Sequence, residues 1–436
     1  MNNNFHNKFF NDLTLNSIGY VSFLIGVFLL PSAVGISIIF FLCALIISFL
    51  NIDKFIKDKW NYPFFISGLL MLISTFIHFL RYDYYINLGL DPKLSLLGLI
   101  NWLPFFLCFW GFQQYLNTPA KRISTAKFLI SGSIAVICSG ILQLLNINGP
   151  FQLFNGLIIW FQKPLTDLGS ISGLFNNQNY AGLWMVMVWP FCLAAFIKPN
   201  RKILKKIILL IICVLFVVFI CLTDSRNALL GLVISSPIVM GSASLIWYLP
   251  TIFLGFFLLG LTVIPIFPDE LQIFMKSIIP SRLYTLFPEI GIKYLSTYPR
   301  INKWLSALIY ITEKPIFGWG AASFPILYQM KSGEWFGHAH NLPLELAVSY
   351  GVLPSIIIFS YYSLLLFLSF RKISKYSKKK IDFFQQLNQK AWIASSLIFF
   401  IAHLADIQYY DARISIFCWI LLAGLRSFLK EKEITT

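Results

Sequence analysis

Apolar runs of about twenty residues recur along this chain from end to end, and that repetition is the strongest constraint on its fold. Runs of this length can cross a bilayer as helices. Hydrophobic residues make up 58% of the chain and charged residues only 12%. The expected fold is therefore all-α, a polytopic transmembrane helix bundle. Spans of roughly 17 to 25 residues number about twelve, the first at 17–31 and the last at 412–428. Residues 17–50 and 227–267 are each divided in two, because a single helix at about 1.5 Å per residue would run some 50 to 60 Å against a hydrocarbon core of about 30 Å. Spans eight and nine then fall at 227–247 and 248–267, span ten at 344–370 and span eleven at 391–409. The polar start, Met1 to Asn16, is followed by no small-residue cleavage site, so the first span is expected to act as the insertion signal.

The net charge of +16 is distributed in a way that orients such a bundle. Most Lys and Arg residues lie in short loops such as Lys54-Lys57-Lys59, Lys121-Arg122-Lys127, Lys198 to Lys206 and the run Lys378-Lys379-Lys380. By the positive-inside rule both termini are cytoplasmic and the long segment 268–343 is outside. Membrane lipids are thus expected partners and nucleic acid is not. The seven cysteines sit within or at the ends of apolar runs without paired spacing, so neither a disulfide framework nor a zinc site is expected. Three parts follow: 1–267 with nine spans, 268–343 as an outer loop subdomain, and 344–436 with three spans and a cytoplasmic tail. A loop that long points to function rather than linkage. Within it, Ile301, Trp304, Leu305, Leu308 and Ile309 repeat at helical spacing, with Arg300, Lys303 and Ser306 turned away. The spacing predicts an amphipathic helix lying on the bilayer surface, or else a packing helix of a small soluble subdomain.

The polar residues that carry chemistry collect where this loop re-enters an apolar segment. Two of the five histidines stand in Gly337-His338-Ala339-His340-Asn341. A neutral imidazole accepts a proton from a hydroxyl at neutral pH. Arg226, after Asp224-Ser225 at a span mouth, and Arg300, at the start of the amphipathic helix, are expected on the same side. A lone boundary arginine often only snorkels. Two near a histidine pair suit phosphate oxygens, which a guanidinium meets with a planar fork of donors. No metal and no cofactor are expected. Histidines at i and i+2 share no helix face, Glu334 and Glu345 make a weak ligand set, and Asp-x-Asp is absent. His78, His403, Asp406 and Asp411 lie near span ends and read as interface residues, which argues against an ion-conducting path.

The order Ser225-Arg226, Arg300 with Trp304 and Ala307, Pro315-x-x-Gly318-x-Gly320-x-x-x-Phe324, then His340-Asn341, nine residues and Gly351 resembles the O-antigen ligase family. The family signature is followed from residue 340 up to its last position, where Pro354 stands. Gly173 to Tyr180 also resembles the polar lead-in to a span in these proteins. The resemblance implies a bacterial inner-membrane, metal-independent, inverting glycosyltransferase of the GT-C type. Its donor would be an undecaprenyl-diphosphate-linked glycan and its acceptor a lipid A core or another glycan. Carried over by position, His340 would be the base, His338 a supporting or alternative base, and Arg226 and Arg300 the diphosphate ligands. Asn179, Asn341, Gly318 and Gly320 would anchor sugar or loop. The same pattern includes O-antigen and exopolysaccharide polymerases, protein O-oligosaccharyltransferases and chains described as bicarbonate transporters. No residue reads the acceptor or sets the oligomeric state.

Overall fold

The computed structural model describes residues 2–50, 52–166, 169–199, 201–264, 266–279, 299–376 and 383–431. Its first part contains α1 (Asn2–Leu29), α2 (Val34–Phe49), α3 (Tyr62–Leu80), α4 (Pro92–Leu99), α5 (Leu103–Gly111) and α6 (Pro119–Leu144). A hairpin, β1 (Phe151–Leu153) and β2 (Ile158–Trp160), precedes α7 (Gln178–Ile197), α8 (Ile203–Leu222), α9 (Arg226–Met240) and α10 (Leu245–Val263). After α11 (Asp269–Ile278) come α12 (Pro299–Glu313), α13 (Ser323–Ser332), α14 (Leu342–Tyr350), α15 (Val352–Tyr376), α16 (Phe383–Ala402) and α17 (Ala412–Lys430). Among the described residues, eight helical segments are long and apolar enough to cross a membrane. The chain is a multi-pass helical membrane protein.

Burial sorts these helices into centre and rim. In α7 and α17, 78% and 83% of the apolar window is buried, against 22% in α8 and 6% in the segment containing α10. A helix apolar on every side is a central one when its neighbours are protein and a lipid-facing one when they are not. α7 packs on α6, α8, α9 and α16, while α17 packs on α5, α15 and α16. Small residues permit the close approaches: a side chain at Gly424 would collide with the Trp392 indole, and one at Gly182 with Thr223, Ser225 and Ala228. A second, smaller core joins Ala307 and Tyr310 of α12, Phe324, Leu327 and Tyr328 of α13, Ala339 and Val348, together with Tyr85 and Leu90. This core holds the segment after residue 299 against one end of the bundle.

Several expectations need correcting. The antiparallel hairpin, pairing Phe151 with Trp160, adds β structure to an otherwise helical chain. Segment 344–370 is two helices, because Gly351 at φ +97° breaks the chain between α14 and α15. A Cβ there would collide with the carbonyl of Ile316, so only glycine fits. The division of 227–267 falls at Gly241, also at positive φ, rather than at 247. Finally, α16 ends at Ala402, not 409, and the residues after it form a polar loop. The lysine run at 378–380 lies outside the described residues.

Candidate active site

One end of the bundle, the site end, collects the starts of four helices, each capped by the side chain its sequence supplies. Asn177 caps α7, Ser225 caps α9, Asn341 caps α14 and Asp411 caps α17. Each cap accepts an N–H that a helix start leaves unpaired. The loop before α14 is fastened at several points. The Leu342 amide donates to the His403 carbonyl at 2.9 Å, and Asn341 Nδ2 donates to the Leu404 carbonyl at 2.8 Å. The buried Glu345 carboxylate accepts the Ala339 amide at 2.8 Å, between the two histidines. Trp304 Nε1 of α12 donates to the His340 carbonyl at 3.2 Å. His340 itself adopts φ +54°, a left-handed conformation uncommon outside glycine and asparagine.

These contacts present the imidazoles in a defined manner. His340 Nδ1 lies 2.8 Å from Asp406 Oδ1, and the two rings are 4.3 Å apart, edge to face. The backbone amide of His340 donates to His338 Nδ1 at 3.2 Å. An amide can only donate, so His338 Nδ1 is an acceptor and its proton is on Nε2. A carboxylate can only accept, so His340 Nδ1 carries the proton and its Nε2 keeps a lone pair. With one proton on each ring the two histidines are opposite tautomers: His338 presents an N–H at Nε2 and His340 a lone pair there.

Asp406 is held in place by more than His340. The Ile407 amide donates to Oδ1 and Gln408 Nε2 to Oδ2, both at 2.9 Å, while Arg300 stands 3.8 Å from Oδ2. Burial raises the Asp406 carboxyl, but the His340 hydrogen bond and the Arg300 charge outweigh it and leave it below the usual carboxylate range. Burial first, and then the nearby His340 ring, Lys303 and Arg300, outweigh the Asp406 carboxylate and push His338 down to about 4, so it is neutral at physiological pH. Lys303 was expected to turn away from the packed face. It is instead buried, its Nζ 3.2 Å from the centre of the Phe336 ring, and burial lowers its pKa. The polar face of α12 thus looks into the site, and Leu305, Leu308 and Ile309 are exposed on the other side.

The remaining expected residues divide into frame and rim. Gly318, at φ +65°, leaves no room for a Cβ beside the Val348 carbonyl, and its own carbonyl accepts from His78 Nε2 at 3.2 Å. The Trp319 and Gly320 amides donate to the Val348 and Ser349 carbonyls at 2.7 and 2.9 Å. This turn locks the α14–α15 break. Asn341 is a backbone anchor, as described above. Arg226 begins α9 and is exposed, with no hydrogen-bond or ion-pair partner among the described residues. Asp224 beside it is held by Ser170 Oγ at 2.5 Å. The α7 start, including Asn179, touches the neighbours of both arginines: Tyr180 Oη reaches the Ile407 carbonyl at 3.4 Å, and Gly182 packs on Ser225. His340 and Arg300 meet at Asp406 and His338 packs on His340, whereas Arg226 and Asn179 make no hydrogen bond or ion pair with any of these among the described residues.

Residues 211–359 match the family model described as O-Antigen ligase, a stretch that runs from α8 through α12 and the histidine loop into α15. The match covers about a third of the chain and supports an assignment to the O-antigen ligase family. No curated protein matches it. The family match supports a glycosyltransferase-like membrane enzyme of the ligase and polymerase group, with a lipid-linked glycan as the implied substrate.

Asp406 is the member of this candidate site that sequence reasoning missed. It was read as an interface residue beside His403, 66 residues from the histidine it supports. The usable signal was an acid just past an apolar span, on the same side as the histidines. His338, His340 and Asp406 also bring their ligand atoms within 4.8 Å of one another, a spacing that could hold a metal ion. The hydrogen bonds oppose that use. His338 Nδ1 is occupied by an amide, His340 Nδ1 by Asp406, and Arg300 and Lys303 add positive charge beside any cation.

Proposed function

We propose that this protein transfers a glycan from undecaprenyl diphosphate to an acceptor hydroxyl, with His340 as general base. The observation that carries the reading is the 2.8 Å contact from His340 Nδ1 to Asp406, beside a half-exposed Arg300. His340 Nε2 takes the acceptor hydroxyl proton as the oxygen attacks the anomeric carbon. The bond from that carbon to the diphosphate oxygen breaks on the opposite face, and undecaprenyl diphosphate leaves with the electron pair, inverting the centre. Asp406 keeps His340 in the required tautomer and stabilises the imidazolium once it forms. His338 Nε2–H, neutral at working pH, donates a hydrogen bond to substrate.

Arg300 and Arg226 bind the diphosphate from two sides of the α7 start, and the N-termini of α7 and α9 add favourable partial charge for an anion. Donor binding neutralises Arg300 without disturbing the amides that already hold Asp406. No metal enters the step, because two guanidinium groups supply the charge that a divalent ion would otherwise bring. The site faces the periplasm, with both termini cytoplasmic and the bundle of twelve spans in the inner membrane. A lipid A core acceptor makes the enzyme a ligase, and a second lipid-linked glycan makes it a polymerase. The match to the family model is compatible with either acceptor.

The test is purified protein with undecaprenyl-diphosphate-linked glycan, offered lipid A core or a second donor molecule, in the presence of chelator. Glycan on lipid A core is the expected product. Extension of the donor chain would make the protein a polymerase. Neither product, together with bicarbonate uptake into vesicles, would overturn the glycosyltransferase reading.

A further inference from the structure

The opposite end of the same helices, here the basic end, carries a second arrangement of cations that the transfer reaction does not use. Arg371 and Lys375 lie 19 and 23 residues into α15, and Arg426 lies 14 residues into α17. At about 1.5 Å per residue that places them roughly 20 to 35 Å from the site end, a bilayer's thickness away. Together with Trp60, Leu368 and Leu429 they line a cavity of about 490 Å³ between α15, α17 and the turn before α3.

The cations of this cavity are in different states. Lys372 is already committed: its Nζ donates to the Phe428 and Glu431 carbonyls at 2.7 Å each, closing the end of α17. Glu431, the acid in the lining, is bonded to Arg122. Arg426 is not satisfied. It is only 7% exposed, and its Nε has no hydrogen-bond partner among the described residues. Its nearest acid, Asp58, is 3.8 Å from a terminal nitrogen, too long for a hydrogen bond. Its other contact is the Trp60 ring, 4.2 Å from the guanidinium carbon. Arg371 and Lys375, one turn apart, are exposed.

A buried donor without an acceptor, beside exposed cations, calls for an anion. Three features specify its carrier. The cavity is far larger than one phosphate and has Leu368 and Leu429 in its wall. Leu364 and Phe367, exposed at 44% and 61%, continue the face of Arg371 and Lys375 toward the middle of α15 at helical spacing. Trp60 is the aromatic type that sits at headgroup depth. The stripe is therefore apolar where acyl chains run and cationic where a headgroup ends.

We propose that this cavity is a binding site for an anionic glycerophospholipid, its phosphate on Arg426, Arg371 and Lys375 and its acyl chains along Leu364 and Phe367. Basic pockets between membrane helices hold lipid phosphates in this way. Trp60 stacks on Arg426 and fixes the plane of its donors. The lipid binds on the face opposite the glycan, so it secures the ends of α15 and α17, whose other ends frame the histidine loop.

Native mass spectrometry of the purified protein, titrated with phosphatidylglycerol or phosphatidylcholine of the same chain length, tests this. Phosphatidylglycerol should be retained selectively. Arg371→Gln with Lys375→Gln, both exposed positions that leave packing intact, should weaken its retention roughly 25-fold, at about fivefold per cation near an anionic surface. Arg426→Met should abolish selectivity, and Arg371→Lys should preserve it. Equal retention of the two lipids, unchanged retention in the double variant, or displacement of the lipid by equimolar inorganic phosphate would each overturn the proposal.

Discussion

Two arginine–carboxylate pairs at opposite ends of the bundle differ in how completely they are satisfied. Arg122, at the basic end, is fully buried, donates to the Leu116 carbonyl at 2.8 Å and to Glu431 at 2.5 Å, and has no exposed surface left. Arg300, at the site end, has 28% of its side chain exposed and stands 3.8 Å from Asp406, a carboxylate whose hydrogen bonds come from elsewhere. A saturated cation holds structure, since any new partner must displace an old one. An unsaturated cation beside a saturated carboxylate can accept a substrate anion at little cost in lost bonds. Arg413 makes the same point within the site end, being closed on Asp411 and on the Leu174 carbonyl and so unable to serve a substrate.

The contrast is sharpest at His340. His340→Ala should lower transfer by about two to four orders of magnitude while the melting profile of the purified protein stays unchanged. Asp406→Asn should follow closely, at about a hundredfold or more in kcat, because an amide can present its N–H to Nδ1 and favour the wrong tautomer. Normal kcat in either variant would end the parallel between open geometry and chemistry. Arg122→Ala should behave in the opposite way. It leaves Glu431 without its partner, at about 3 kcal/mol of stability, and should lower the melting temperature and membrane yield with little change in turnover per folded molecule.

A smaller effect is expected from acid. The folded-state pKa of His338, about 4, lies below its ordinary 6.5, so the unfolded loop binds a proton more readily than the folded one. The stability this neutral histidine contributes is complete above pH 6.5 and is lost as pH falls from 6.5 toward 4. Amide exchange in residues 337–341 should accelerate over that window, and His338→Gln should flatten the dependence. Lys331→Ala should change least. Its pair with Glu313 joins side chains 49% and 38% exposed, and such surface pairs contribute about 0 to 1 kcal/mol. A melting shift as large as that of Arg122→Ala would show that exposure is the wrong measure of an ion pair's role.

Much of this protein was legible from the order of its residues. Long apolar runs specify helices across a membrane, and each expected span meets a helix, because hydrophobic length is a local property. The histidine pair and Arg300, expected on the same side of the membrane, stand around one carboxylate. Spans eight to ten shifted because helix ends are set by glycine φ and by capping side chains, as at Gly241, Gly351 and Asn341, which hydropathy does not weigh. The face of α12 was misassigned for a related reason. Lys303 is charged and therefore reads as solvent-facing, yet Phe336 and the site bury it.

What only the tertiary structure decided is which polar groups meet. Asp406 and His340 are far apart in sequence and joined at 2.8 Å. That contact, with the amide on His338 Nδ1, gives the two rings different hydrogen-bond roles, which their spacing in the sequence does not. Composition and periodicity report what each residue prefers as its surroundings. Proton position depends on which acceptor lies within 3 Å, and only the folded chain sets that distance.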